Sequence, residues 1–158
     1  MIKFIAAVDN KLGIANEHGI PWQGKLPTDV AYFRNKTLGG NVMMGYGWYL
    51  EQKLPLPNRQ NLVATSRPEV LREGFTKVKD ARKFLGTATD DIWVGGGARL
   101  FEQTIDLADE LYVTRIERDF HCTKFFPEFE NSFRLVSQTK EQVESGIAFR
   151  FEVWRKIA

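Results

Sequence analysis

The sequence predicts an α/β fold in a single domain, with a mostly parallel sheet that closes on an antiparallel strand. Three observations carry this. Short apolar runs of strand length alternate with helix-compatible segments, the pattern of parallel strands joined by crossovers. Near the C-terminus, two strand-like runs, Phe133 to Gln138 and Ala148 to Arg155, read as a hairpin joined around Ser145-Gly146. Finally, 158 residues with 43% apolar and 27% charged side chains suit one globular domain over 1–158 that needs no covalent staple.

Ile2 to Val8 is a continuous apolar run, as expected of a strand buried on both faces. Its Ala6 and Ala7 either let helices pack closely or leave room for a flat ligand. Asp9 to Ile20 has turn signals at Asp9-Asn10, Gly13 and Gly19 and reads as a functional or mobile loop. Pro21-Trp22 and a polar turn, Gln23-Gly24-Lys25, lead to Pro27. A proline there opens a helix, because its missing N–H would go unpaired in a first turn anyway. Helical spacing stacks Asp29 and Phe33 on one face, with Val30 and Thr37 close to the same arc. The helix ends near Leu38-Gly39-Gly40.

Asn41 to Gly45 is a short strand, Tyr46-Gly47 a turn, and Trp48 to Lys53 a short helix. Leu54-Pro55-Leu56-Pro57 is rigid and extended. Asn61 to Thr65 and Phe75 to Val78 are further strands, Ala81 to Leu85 is weakly helical, and Ile92 to Val94 is a strand. Gly95-Gly96-Gly97 then precedes a helix over Ala98 to Thr104. Glu110 to Ile116 is a strand, and Asp119 to Pro127 an aromatic-rich loop.

Composition removes several function classes. The net charge is only +2 and no Lys/Arg run is present, so nucleic acid is not an expected partner. One cysteine, Cys122, permits no internal disulfide and no zinc-ligand spacing, and it reads as an inert thiol. His18 and His121 lie far apart in polar loops, with no triad or metal-ligand arrangement. The chain enters a strand at once, without a signal peptide or a bilayer-length apolar run, so a cytoplasmic protein with no membrane contact is expected.

Four features remain as candidates. Asp29 is either a solvated acid favoured by the helix dipole or a buried acid facing a ligand; burial raises its pKa and the helix N-terminus lowers it. Arg59, just before a strand, is either a surface charge or a clamp for a carboxylate. Gly95-Gly96-Gly97 is either a tight structural turn or a place where backbone approaches a pyrophosphate at a helix N-terminus; it is not G-x-G-x-x-G, because Leu100 breaks the pattern. Thr114, polar within an apolar strand, bonds backbone or orients Asp29.

The ordered motifs IAAV, GIPW, LPTDVAYFRNKT, VMMG, PLPNRQN, the glycine turn before ARLFEQ, LYVTRI and TKFFPEF resemble the dihydrofolate reductase family over nearly the full length. The resemblance implies a central, mostly parallel eight-stranded sheet with an antiparallel C-terminal edge strand and flanking helices. It implies NADPH-dependent reduction of dihydrofolate by a monomer that also binds antifolates. Asp29 would bond the pterin edge and assist protonation at N5, with Trp22 and Thr114 holding the water and hydroxyl links around it. Ile5, Ala6, Ala7 and Phe33 would line the pterin and benzoyl pocket, Leu56 would form the opposing wall, and Arg59 would clamp the glutamate tail.

For the cofactor, the resemblance implies Ala7, the closing-loop residues Ile14 and Ile20, and Gly45, Tyr46, Gly47 and Trp48 after the second long strand. It adds Thr65, Ser66 and Arg67, then Gly96, Gly97, Ala98, Arg99, Leu100 and Phe101, with a cis Gly96–Gly97 peptide and Phe101 beside the nicotinamide. Two rival readings are a related reductase of this fold acting on another heterocycle, and a non-catalytic folate- or nucleotide-binding protein.

Four positions depart from the family pattern. Tyr46-Gly47-Trp48 replaces a stretch that usually begins with an arginine for the 2′-phosphate, leaving Ser66, Arg67 and Arg99 for that role. Gln23-Gly24-Lys25 lengthens the turn after Trp22. Thr123 stands where an acid usually accepts bonds from the closed loop, which is expected to favour closure less. Gly95 replaces an aliphatic pocket residue, which is expected to widen the site.

Overall fold

The computed structural model describes residues 1–158. In chain order, the strands are β1 (Ile2–Val8), β2 (Gly13–Ala15), β3 (Asn41–Gly45), β4 (Gln60–Ala64), β5 (Phe75–Val78), β6 (Ile92–Val94), β7 (Glu110–Ile116), β8 (Lys124–Phe125), β9 (Phe133–Gln138), β10 (Gln142–Glu144) and β11 (Ile147–Lys156). The helices are α1 (Pro27–Thr37), α2 (Tyr46–Glu51), α3 (Ala81–Thr87) and α4 (Ala98–Thr104), the last running into a 3₁₀ turn at Ile105–Leu107. No helix is long and apolar enough to cross a membrane.

The main sheet has the order β10-β11-β7-β1-β6-β3-β4-β5, with β9 also paired to β11. Nine strands thus fill eight positions. β10 pairs with Ile147 to Phe149 and β9 with Glu152 to Lys156, so the two share the edge beside β11. The strands from β7 to β5 are mutually parallel, and β11 runs antiparallel to β7. The predicted fold class holds. The turn at Ser145-Gly146 joins β10 to β11, however, rather than β9 to β11. A three-residue strand between them was too short to read from sequence.

β1 alternates its side chains between two cores, as the two-residue strand period requires. Phe4 and Val8 enter the larger core with Leu100, Phe101 and Phe126; Phe4 and Phe101 are 5.2 Å apart between ring centres. Ile5 faces the other way, towards Val42, Trp93, Tyr32 and Phe33. Trp22, Leu26, Ile116, Ile147, Phe149 and Phe151 continue that side. α1 covers this second face. Its last-turn Arg34 and Lys36 and first-turn Asp29 match the helix dipole. Thr37 is its one buried residue, and Val30 is 52% exposed. Val30 therefore leaves the Asp29–Phe33 face expected for it: one residue is a 100° rotation, enough to turn it to solvent.

The long loop after β1 is tied down. β2 within it pairs antiparallel with β8 from the aromatic-rich loop. Buried Asp9 secures both segments: its carboxylate accepts from the N–H groups of Lys11 (2.9 Å), Gly13 (2.7 Å) and Phe120 (3.0 Å). This arrangement places the ends of β1, β3, β4 and β6 on one rim, the usual ligand side of a parallel sheet.

Candidate active site

Asp29 sits in the first turn of α1 and Thr114 on β7, directly beside Ala7 of β1 in register. The buried Thr114 hydroxyl donates to Asp29 Oδ1 at 2.7 Å. That bond favours the carboxylate, but removal from water favours the neutral acid more strongly, and the Glu144 charge adds to it. The Asp29 pKa is raised above its ordinary value by burial first and Glu144 as well, against the Thr114 bond. The neighbouring Tyr32 phenol is pushed up to about 12, by burial first and then by Tyr112 and Asp29, so it remains a neutral donor. Its ring stacks on Phe151 with centres 4.0 Å apart.

Apolar walls surround the acid. Ile5 packs with Phe33, Trp48 and Leu56, and Phe33 and Trp48 lie 6.0 Å apart between ring centres. Ala6 and Ala7 are partly exposed, so β1 presents small side chains where the cleft begins. Trp22 is 5% exposed and packs on Phe120 at 5.2 Å. It reaches Asp29 through no direct hydrogen bond; the one side-chain bond that Asp29 accepts comes from Thr114.

Arg59 is held on the rim. Its Nε donates to Thr37 Oγ1 (2.9 Å), Nη1 to the Pro57 carbonyl (2.5 Å) and Nη2 to the Arg34 carbonyl (2.8 Å). A guanidinium has five N–H donors, so two remain, one on each terminal nitrogen. That is the geometry of a fork for a carboxylate.

The glycine turn follows β6. Gly95 N–H donates to the Met43 carbonyl (3.0 Å), and Gly45 N–H donates to the Gly96 carbonyl (2.7 Å), locking the end of β3 to the turn. The Gly96–Gly97 peptide is cis, as the family resemblance implies. Gly96 has φ +113°, a region that side chains avoid, and a Cβ there would meet the Phe101 ring at 3.1 Å. A Cβ on Gly95 would sit 2.6 Å from the Trp48 ring. The volume vacated at Gly95 is therefore filled by Trp48, and the expected widening of the site does not occur. Leu100 and Phe101 face the larger core, 5% and 2% exposed. Helical phase turns both side chains inward, so Phe101 supports Gly96 from below and Leu100 offers the rim only its backbone.

Gly97 and Arg99 are exposed on the rim, with Ala98 partly so. Gly97 holds the N-cap position of α4 and Gly45 that of α2, so neither helix start has a side-chain cap. Tyr46 and Gly47 open α2, and the Arg67 guanidinium lies 4.5 Å over the Tyr46 ring. Arg67 N–H donates to Thr65 Oγ1 (3.2 Å), and Lys77 Nζ donates to the carbonyls of Arg67 and Glu69, both at 2.6 Å, fixing the Thr65–Ser66–Arg67 turn. Sequence reasoning missed Lys77, whose role is visible only once β5 lies beside β4.

On the loop side, Ile14 packs against the larger core and Ile20 is 47% exposed. Thr123 N–H donates to the Ala15 carbonyl (3.0 Å), and its hydroxyl donates to Glu17 Oε2 (3.3 Å). The acid of this contact thus stands on the loop, with Thr123 as donor. Burial and Asp9 push the Cys122 thiol up to about 11, which keeps it protonated.

A family model described as dihydrofolate reductase matches residues 1–156. A dihydrofolate reductase of Bacillus subtilis (strain 168) is 38% identical over 155 residues, covering 96% of this chain and 91% of that protein. One from Neisseria gonorrhoeae is 30% identical over 155 residues, covering 95% and 94%. Among solved structures, a dihydrofolate reductase from Enterococcus faecalis complexed with NADP(H) and RAB-propyl superposes with a TM-score of 0.88 at 28% identity. That match covers 100% of this chain and 97% of the other.

Proposed function

The chain belongs to the dihydrofolate reductase family, and we propose that it reduces 7,8-dihydrofolate to tetrahydrofolate with NADPH, using Asp29 as the acid that serves N5. The residues of the rim fit that cofactor. Gly97 carries no side chain and faces open space, so backbone can approach a pyrophosphate there. The uncapped starts of α2 and α4 leave N–H groups free for its charge. Arg67, steadied on Tyr46 beside Ser66, is the cation for a 2′-phosphate, with Arg99 also exposed on this rim. NADPH, when bound, supplies the hydride that C6 of the substrate accepts.

The protein's own part is placement and one proton. Ile5, Ala6, Ala7, Phe33 and Leu56 would hold the flat pterin and benzoyl groups in place for hydride transfer, which is proximity catalysis. Arg59 takes the glutamate carboxylate with its two spare N–H groups. Asp29 recognises the pterin edge and, with its proton affinity raised by burial, supplies the acid needed as N5 gains hydrogen. Thr114 fixes its orientation, and Trp22 closes the side towards Phe120. The segment from Gly13 to Ile20 would flank the nicotinamide when the cofactor is bound and would help keep water out.

The observation that carries this reading is the Thr114–Asp29 pair among apolar walls at the ends of the parallel strands. We also infer a cytoplasmic monomer. Its large exposed apolar residues, such as Leu54, Val70 and Val143, are separated in the sequence and lie in two different loops and on β10; a dimer in sedimentation would refute the monomer. The direct test of function follows NADPH absorbance with dihydrofolate present. Steady oxidation that requires dihydrofolate is expected. Turnover with another heterocycle but not with dihydrofolate would contradict the reading.

A further inference from the structure

Helix α1 has no side chain of its own at its N-terminus: Leu26 occupies the cap position and Pro27 has no N–H. The end is closed from 116 residues away. The Glu144 carboxylate on β10 accepts from the Thr28 backbone N–H at 3.1 Å and from the Thr28 hydroxyl. Beside it, Ser145 Oγ donates to the Lys25 carbonyl at 2.7 Å. The tip of the β10–β11 hairpin thus grips the entry to α1 at two points, and the next residue along the helix is Asp29.

A carboxylate on a first-turn N–H answers the partial positive charge of the helix end. Left unanswered, that charge favours the anion of any acid in the first turn. With Glu144 in place, Asp29 meets a second negative charge instead. The other groups facing Asp29 are the Thr114 hydroxyl from β7 and the Tyr32 phenol from α1 itself; β1 turns only the uncharged Ile5 and Ala7 to this side. Lys36, the cation near this group, lies over the Tyr32 ring at 5.6 Å. Thr114 lowers the proton affinity of Asp29, while burial and Glu144 raise it.

We propose that Glu144 is a positioning residue for the reduction: it fixes the first turn of α1 from the hairpin and sets a negative charge beside Asp29, the group that serves N5. This rests on the role proposed above for Asp29. Glu144→Gln preserves the shape and one acceptor oxygen, for the Thr28 N–H, while removing the charge, and the Thr28 hydroxyl can turn to accept from the new amide; Glu144→Ala removes shape, acceptors and charge.

The test is the pH dependence of single-turnover hydride transfer for both variants, with Asp29→Asn and Asp29→Asn/Glu144→Gln alongside and thermal unfolding as a second readout. For Glu144→Gln, a small fall in Tm and an unchanged KM for dihydrofolate are expected. The pH at which the rate begins to fall should drop by about half a unit, leaving the enzyme about threefold slower on the alkaline side. Glu144→Ala should shift the profile the same way and lower Tm further. In the Asp29→Asn background, Glu144→Gln should move nothing. A Glu144→Gln profile that superimposes on the parent's, while Asp29→Asn abolishes the pH dependence, would reduce Glu144 to a structural cap and overturn the proposal. Retention of the parental profile by Asp29→Asn would instead overturn the Asp29 assignment itself, and this proposal with it.

Discussion

Around Asp29 the polar groups are already bonded to one another: Thr114 to its carboxylate, Thr28 to Glu144, Ser145 to Lys25. Around the glycine turn they are open: Ser66, Arg67, Gly97 and Arg99 are exposed, and α2 and α4 start without side-chain caps. The acid end is organised by bonds within the chain, whereas the end proposed for the cofactor is largely exposed backbone and surface side chains. Substitutions at the first end should therefore change proton affinity. Substitutions at the second should change volume and cofactor choice.

The largest expected effect is at the acid. Asp29→Asn should slow hydride transfer at neutral pH by on the order of 10²-fold or more, the usual scale for a lost general acid. Stability should move the other way. A carboxyl whose folded pKa is raised contributes nothing below its unfolded value of 3.8 and destabilises the fold increasingly as pH rises through the folded pKa. Asp29→Asn should thus unfold at a higher temperature than the parent at neutral pH, with the gap closing near pH 4 in a thermal series. A lower Tm for the variant at neutral pH would count against a proton-holding Asp29.

Next comes volume at the glycine turn. Gly95→Ile drives its side chain into Trp48 and should cost about 1–3 kcal/mol of stability. Adding Trp48→Ala should recover part of that loss, measured by urea unfolding of the four members of the cycle. Strict additivity would mean that the two residues do not share one space.

Thr114→Val removes the single bond that favours the Asp29 carboxylate. The pH at which hydride transfer falls should rise, opposite in sign to Glu144→Gln, and orientation loss should slow the reaction several-fold, on the order of one hydrogen bond. A downward shift would contradict the part assigned to Thr114. The smallest effect is expected at Arg67: Arg67→Ala should lower kcat/KM for NADPH by about twofold to threefold, as for one solvent-exposed charge contact, and leave NADH nearly unchanged. Equal losses with both cofactors would place Arg67 outside 2′-phosphate recognition.

The same contrast explains what could be read from the sequence. β1, the helix from Pro27 and the strand–glycine–helix junction were legible because each is a local pattern: a continuous apolar run, a first-turn proline, residues without side chains. Asp29 and Thr114 were legible as a pair only as one of two alternatives for Thr114 until the family resemblance favoured it, since 85 residues separate them. The Glu144 cap, the β2–β8 pairing and the bonds of Asp9 to Phe120 were not legible, because each joins segments that become neighbours only after the sheet forms. Gly95 shows the same limit. Its missing side chain suggested an enlarged pocket, and only packing reveals that Trp48 takes the space.

Asp29 as the proton source is tested most directly by single-turnover hydride transfer from NADPH to dihydrofolate across pH, in the parent chain and in Asp29→Asn. The parent rate should be flat at low pH and fall about tenfold per pH unit above the carboxyl's pKa, as for one titrating acid. The variant should be slow and nearly independent of pH. A variant with the parent's profile and rate would contradict the role of Asp29.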